Sequence, residues 1–467
     1  MNQRVWSSLL TLCFISVFYA QENTGKYLEH SLPADWEARD SVFIPTVAVE
    51  DTWWKAFQDP VLDSLITVAI RQNYSVLMAM NRIDMARANL NVSRGDYYPS
   101  LSLDAGWTKQ QSSGNTSGIP QSRQHYFNAA VSMSWELDVF GSIRNRVKAQ
   151  KELFAVSQED YNATMVSLCA EVAATYINLR EIQQELEVVR KNCSSQEAVL
   201  KITEIRYNTG LVSKLDVAEA KSVYFSTKAS IPQLESGIIQ YMNALCVLLG
   251  VYPHELRRNL EKIGELPDYM ESVGVGIPAN LLLQRPDVRA AERQVSAQAA
   301  SLGASRSDWW PKFFLNGSVG YASERMSDFV KGKSLTYELS PTISINLFQG
   351  MKLINATRLA KAELEESVNS FNQTVLTAVQ EVDNAMSQYR NSIKQIVSLR
   401  ELVNQGKQTF DLSLDLYKQG LSPFQNVLDA QRSLLSYENS LVQAQGNSLV
   451  CLIQMYKALG GGWKYEN

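Results

Sequence analysis

The sequence is written twice. Residues 73–103, NYSVLMAMNRIDMARANLNVSRGDYYPSLSL, align without a gap on residues 285–315, RPDVRAAERQVSAQAASLGASRSDWWPKFFL. Val76, Ala79, Leu90, Arg94, Asp96 and Pro99 match Val288, Ala291, Leu302, Arg306, Asp308 and Pro311, and Tyr97-Tyr98 becomes Trp309-Trp310. Further on, ELDVFG (136–141) resembles INLFQG (345–350), and RYNTGLVSKLDVAEAK (206–221) resembles LYKQGLSPFQNVLDAQ (416–431). A duplication on this scale constrains the fold strongly, because each half must supply the same run of elements and find a place for the other. The spacing puts the first repeat at 57–250 and the second at 281–462. Between them, 251–280 holds Pro253, Pro267, Gly274, Gly276 and Pro278 and reads as a linker. An extended segment, 21–56, precedes the repeats, and a short tail, 463–467, follows them.

Each half predicts helix, strand, loop, strand, long helix, tight turn, helix. In YFNAAVSMSWELDVFG (126–141) the residues from Phe127 to Val139 alternate apolar with polar or small, the period of a strand with one oily face. Leu101, Leu103, Ala105 and Trp107 repeat the pattern, as do Phe313, Leu315, Val319 and Tyr321, though Phe314 breaks it. In YELSPTISINLF (337–348) Tyr337, Leu339, Ile343, Ile345 and Leu347 share a face. Past Gly141 the chain reaches Thr209 without Gly or Pro, which predicts one helix. From Gly350 to Gly420, Leu364, Val368, Phe371, Val375, Ala378, Val382, Ala385 and Tyr389 step by four and three, a heptad seam that needs partner helices. Each such helix would run roughly 100 Å. The helices flanking it, 60–96 and 212–249, are about half as long and would match it if stacked end to end.

Charge and composition exclude more than they assign. The formal net charge of −4 and the lack of a basic stripe with interleaved aromatics argue against nucleic-acid binding. His30, His125 and His254 are scattered, so neither a metal cluster nor a histidine-based triad is expected, and no cofactor. Cys169, Cys193, Cys246 and Cys451 fall in helical patterns and read as small buried hydrophobes. The amino terminus, MNQRVWSSLLTLCFISVFYAQEN, has Arg4 followed by an apolar run to Ala20 and reads as a secretory signal, 1–20. Cys13 in LLTLC is the alternative, a lipidation site, although Leu12 stands where a small residue is preferred. No later stretch carries the roughly 18 continuous apolar residues of a transmembrane helix.

An exported chain with four amphipathic strands of about ten residues suits a membrane β-barrel, where a strand needs roughly 9–11 residues. An antiparallel sheet on a soluble core is the competing explanation of the strands alone. Helices of this length decide between them, since a compact four-stranded domain has no use for them. In lipid, an open four-stranded sheet would leave both edges unpaired, at several kcal/mol per orphan group. The chain must therefore borrow strands from copies of itself, and the copies would bring their helices together as a second tube.

Taken in order, WWKAFQDPVLDSLI, ELDVFG, LLLQRPDVRAAE and the two turn motifs resemble the TolC-like outer-membrane efflux proteins, in the branch serving resistance–nodulation–division pumps. The resemblance runs from Trp53 onward. It implies a trimer in the bacterial outer membrane, whose four strands per copy and three copies make a twelve-stranded barrel continued by a periplasmic α-helical barrel. The implied partners are a periplasmic adaptor and an inner-membrane pump. It also implies a constricted periplasmic aperture, carried here by Asp216, Glu219, Tyr417, Asn426 and Asp429. Ser422 stands where some members have a basic partner for the tyrosine, and Asn426 removes a carboxylate. Close carboxylates in a narrow pore favour cations. For Asp216 and Glu219, set among Lys214 and Lys221, a solvated helix face remains the alternative.

Gly210, Leu211, Val212 and Gly420, Leu421, Ser422 form the two turns. They would turn the chain and, by the resemblance, dock the adaptor, for which exposed Leu211 and Leu421 suit. Tyr97, Tyr98, Trp309 and Trp310 precede prolines at helix-to-strand junctions, where they would end the helix, form an interfacial girdle against outer-membrane lipid, or both. The expected function is a passive outer-membrane efflux duct for small molecules, not an enzyme. A duct for secreted polypeptides and a periplasmic coiled-coil tether are the alternatives.

Overall fold

A computed structural model describes residues 28, 43–44, 52–115, 122–254, 260, 264, 266–267, 273–274 and 284–461. The expected signal segment 1–20, with Cys13, lies outside the described residues, as do most of 21–56, most of 251–280, and 463–467.

In chain order the elements are β1 (Phe43–Ile44), a short 3-10 turn (Trp53–Phe57), α1 (Pro60–Gln72), α2 (Tyr74–Gly95), β2 (Ser100–Gln111), β3 (Arg123–Leu137), α3 (Ser142–Asn208) and α4 (Lys214–Leu249). The second half follows with β4 (Val273–Gly274), α5 (Pro286–Ser307), β5 (Lys312–Ser323), β6 (Leu335–Ser344), α6 (Lys352–Lys418) and α7 (Phe424–Ala458). The two-residue strands β1 and β4 pair in parallel. Helices α3 and α6 have 67 residues each, so each runs about 100 Å at 1.5 Å per residue.

The passage from strand to long helix is set by local chemistry. Asp138, just past β3, accepts from the Ile143 amide at 3.1 Å and the Arg144 amide at 2.8 Å. It thereby takes up amide groups that a helix start leaves unpaired, and places a negative charge at the positive helix end. Gly141, at φ 81, makes the left-handed bend that brings the chain round.

The leading helix expected over 60–96 is two helices. Asn73 interrupts it at φ −63, ψ 126, its Oδ1 accepting from the Ser75 amide at 2.7 Å and the Val76 amide at 3.2 Å. Its Nδ2 donates to the Leu248 carbonyl at 2.8 Å, so α2 starts where α4 ends and the two lie end to end along α3. Arg285, which aligns with Asn73, does the same in the second half: its Nη1 donates to the Ala458 carbonyl at 2.8 Å, joining α5 to the end of α7. Different side chains thus close the same joint. Each satisfies a carbonyl that the helix end leaves without a partner. Arg285 is balanced there by Asp287 at 2.6 Å and Glu381 at 2.7 Å.

The four longer strands form one antiparallel sheet in the order β2-β3-β5-β6. Its register keeps the two faces in phase across all four strands. One row reads Leu103↔Val131↔Val319↔Tyr337 and the next Ser102↔Ser132↔Ser318↔Glu338. The strand expected to reach Phe348 stops at Ser344, which pairs with Lys312, the first residue of β5. Beyond that pair the facing segment offers Pro311, just before β5, which has no amide to donate.

The main core lies where the middle of α3, α6 and α7 meet, with Tyr176, Phe371 and Tyr389 fully enclosed. The heptad residues Phe371, Val375, Ala378, Val382, Ala385 and Tyr389 are all buried in it. Each large side chain there stabilises the fold by roughly 1.5–3 kcal/mol. The four cysteines Cys169, Cys193, Cys246 and Cys451 are buried. A smaller, separate core joins the far ends of the helices around Val199, Val223, Tyr417, Phe424 and Val427.

Candidate functional site at the helical tips and on the sheet

Two reversals cap the far end. After α3, Gly210 at φ 76 donates to the Tyr207 carbonyl at 2.9 Å, and Leu211 to the Arg206 carbonyl at 2.9 Å. After α6, Gly420 at φ 78 donates to Tyr417 at 3.0 Å and Leu421 to Leu416 at 2.9 Å. Paired bonds of this kind, closed by a left-handed glycine, are the Schellman arrangement, and they satisfy the last carbonyls of each helix. Leu211 and Leu421 are left 68% and 71% exposed, while Val212 tucks against the tip core.

The return helices begin differently. Ser213 caps α4: its Oγ accepts from the Asp216 amide at 3.3 Å and donates to Asp216 Oδ1 at 2.8 Å. Asp216 therefore has a structural task of its own, as the acidic member of a reciprocal cap. In α7, Pro423 holds the cap position without a side-chain bond, and Asn426 Nδ2 donates to Ser422 Oγ at 3.0 Å. Asp429 is exposed, accepts from Gln425 Nε2 at 3.2 Å, and lies 4.0 Å from Arg432. Glu219, its counterpart in the first repeat, is half-exposed; nearby Lys221 pairs with Glu204 at 2.9 Å. The fold thus puts Asp216 and Glu219 on the opening turns of α4, and Asn426 and Asp429 on those of α7.

Tyr417 is only 3% exposed, packed against Phe424 with ring centroids 5.0 Å apart. Its hydroxyl is enclosed and makes no hydrogen bond of full geometry. Burial pushes its pKa up, with Thr203 and Arg206 pulling the other way. The cation beside it is Arg206, whose guanidinium carbon stands 4.9 Å from the ring centroid. Sequence reasoning missed Arg206. The available signal was its alignment with Leu416, a charge set against an apolar residue in otherwise similar motifs.

At the other end of the helices, Tyr97, Tyr98, Trp309 and Trp310 follow α2 and α5 and are 37%, 72%, 48% and 53% exposed. Three of them are held by contacts within the chain. Trp135 Nε1 donates to the Tyr97 carbonyl at 3.0 Å, Trp309 Nε1 donates to Thr357 Oγ1 at 2.9 Å, and Trp310 stacks on Phe140 at 5.2 Å.

Among the described residues, nothing covers the apolar face of the sheet. Leu101, Leu103, Val319, Tyr337, Leu339 and Ile343 are between 52% and 83% exposed. A soluble protein rarely leaves so continuous an apolar patch open to water. The opposite face holds a depression lined by Ser100, Ser102, Ser132, Ser134, Ser318 and Glu338. Apolar outside, hydroxyl-lined inside and unpaired at both edges is the pattern of part of a membrane barrel. Among the described residues no helix is long and apolar enough to cross a membrane, and no group of acidic, histidine or cysteine side chains is placed to hold a metal.

Comparison with known proteins agrees with this geometry. The family described as outer membrane efflux protein matches twice, over residues 65–251 and 277–461. The chain is 30% identical over 413 residues to the solvent efflux pump outer membrane protein SrpC of Pseudomonas putida, covering 87% of this chain and 86% of that one. It is 28% identical over 438 residues to the probable outer membrane lipoprotein SilC of Salmonella typhimurium, covering 92% and 93%. Among solved structures, the outer-membrane channel OprN superposes with a TM-score of 0.89 at 28% identity, covering 96% of this chain and 99% of that one. The open state of the Neisseria gonorrhoeae MtrE outer membrane channel gives 0.81 at 25%, covering 96% and 98%. The chain belongs to the outer membrane efflux protein family, and it is an outer-membrane protein with the fold of that family's channels.

Proposed function

We propose that three copies of this chain assemble into a passive duct. Its barrel, four strands from each copy and twelve in all, lies in the outer membrane, and its helices form a tunnel through the periplasm. The observation that carries the proposal is the sheet: an exposed apolar face, a polar face, and two edge strands, β2 and β6, left to be paired by neighbours. Orphan edge groups in lipid cost several kcal/mol each, so closure with other copies is the stable state. The duct would take small molecules from an inner-membrane pump of the resistance–nodulation–division type, through a periplasmic adaptor docked on the turns 210–212 and 420–422. Exposed Leu211 and Leu421 support docking there, and the efflux-pump name of the SrpC relative supports the cargo class. Asp429, repeated around the axis, would line the narrow end and favour cations. Asp216 contributes less, because its cap holds it to Ser213. Tyr97, Tyr98, Trp309 and Trp310 would mark the periplasmic boundary between the outer membrane and water.

Single-channel recording in a planar bilayer tests this. Wild type should show a small, cation-preferring conductance, and Asp429→Ala should raise it or weaken the preference. Trimers that insert and never conduct would refute the duct. A conductance that Asp429→Ala leaves unchanged would move the constriction elsewhere.

A further inference from the structure

The sheet sorts its charges between its two faces. By the register of the paired rows, odd-numbered residues of β2, β3, β5 and β6 share the apolar face and even-numbered ones the polar face. The polar face carries Asp104, Glu136 and Glu338, and one cation, Lys312. Lys312 lies at the helical end of the sheet, against Glu136 at 3.7 Å and Asp308 at 3.1 Å. The apolar face carries no carboxylate on any of the four strands. Histidine apart, its only charged residues are Lys109 and Arg123, both exposed and both at the hairpin end, away from the helices. Lys109 pairs with His125 in the ladder, and Gln111 with Arg123. Arg123 Nε donates to Gln111 Oε1 at 2.7 Å, which ties the guanidinium to β2.

Height places these cations beyond the hydrocarbon. On β3 the apolar row runs from Phe127 to Leu137. At about 3.4 Å per residue and a tilt of roughly 40°, that row rises about 26 Å. The apolar band of a membrane barrel is about 25 Å tall and is bounded by aromatic residues. Trp107 and Phe127, paired across β2 and β3, bound it at the outer end, and Lys109, His125 and Arg123 follow on the same face. The loop between β5 and β6 leans to this side as well. Its Phe329 packs on Tyr321 with ring centroids 6.3 Å apart, and Tyr321 stands in the apolar row with Ala129 and Leu335. The Ser334 hydroxyl donates to the Asp328 carbonyl at 2.8 Å and Lys331 pairs with Asp328, so the loop has a fixed shape. It carries a further cation, Lys333, and leaves Met326 and Val330 exposed.

We propose that this rim binds the phosphate groups of a phosphorylated glycolipid in the outer leaflet, through Lys109 and Arg123 of each copy. The proposal rests on the barrel reading above. Cations meant to steer a passing solute would line the lumen, and these two stand on the opposite face. Basic side chains at the edge of an apolar band keep their heads at the headgroup level, where anionic lipid attracts them. Trp107 and Phe127 hold the same depth from below. The loop 324–334 rests beside the site on the membrane side of the rim, its apolar residues set against lipid. Closure of the barrel repeats the pair around the rim, once in each copy.

Native mass spectrometry of the detergent-purified protein, titrated with lipid A, tests it. Removing two cations from each site in Lys109→Gln/Arg123→Gln should weaken lipid A binding by roughly ten-fold or more. Lys109→Arg/Arg123→Lys keeps both charges and should bind as wild type does. Lipid A stripped of its phosphates should bind wild type and the Gln variant equally weakly. Equal affinity of wild type and the Gln variant for intact lipid A overturns the proposal. If the Gln variant does not assemble, wild type decides: a several-fold preference for intact over stripped lipid A supports the proposal, and no preference overturns it. Wild-type protein that is not trimeric in the same spectra would instead refute the assembly on which the proposal rests.

Discussion

Glu181 shows how one residue can depend on a crossing that no local pattern reveals. It lies on α3 against Gly446 of α7, so close that a Cβ added at that glycine would meet the carboxylate at 2.1 Å. Burial pushes its pKa up to about 7, and Glu185, four residues on, adds to the rise. Glu185 is itself raised by burial, against a hydrogen bond to Gln443. The folded value exceeds the ordinary 4.5, so the fold binds this proton more tightly than the unfolded chain does. The resulting stabilisation is full below pH 4.5 and is lost as pH rises to about 7. Glu181→Gln, which stays neutral, should therefore stabilise the fold at about pH 8 by on the order of 1 kcal/mol after solvent screening, and so raise the melting temperature there. At about pH 4 it should change little. Calorimetry of the detergent-solubilised protein at both pH values reads the difference, and an equal effect at both would show that ionisation is not the cause.

Elements were easier to foresee than their joints. Gly and Pro punctuation, the heptad seam and period-two alternation are properties of contiguous sequence, and they gave α3, α6, both reversals and the four strands. The break at Asn73 was hidden because asparagine is tolerated in a helix; only its bond to Leu248, far along the chain, makes it a joint. Arg206 was hidden for the same reason, its partners lying on another helix. Asp216, Asn426 and Asp429 were legible only through the turn motifs, and the motif could not show that Ser213 already holds Asp216. The reversals are the element most open to test. Gly420 sits at φ 78 with nothing within 4 Å of an added Cβ, so Gly420→Ala meets backbone strain alone, about 1–2 kcal/mol. Hydrogen exchange should quicken at the amides of Gly420 and Leu421, which bond back to Tyr417 and Leu416, and stay unchanged in the main core. Unchanged exchange at the turn would mean that the left-handed geometry is not required there.

For the whole molecule, the decisive property is which side of the sheet meets lipid, and adjacent residues of β6 separate the possibilities. Leu339 lies in the apolar row with Gly317 and Met133, and is 69% exposed in the single chain. Ser340, one residue on, faces the other way, in the row with Asn316 and Ser134. An arginine facing lipid near the bilayer midplane costs roughly 2–4 kcal/mol, falling toward the interfaces, whereas one facing a water-filled lumen keeps its hydration. Leu339→Arg should therefore reduce the fraction of protein that folds and inserts into lipid vesicles, while Ser340→Arg should insert as wild type does and change only the ion preference of the duct. The comparison holds strand, height and added charge nearly constant, so a difference between the two variants reports the face and little else. If both inserted equally well, the apolar face would not be the lipid face.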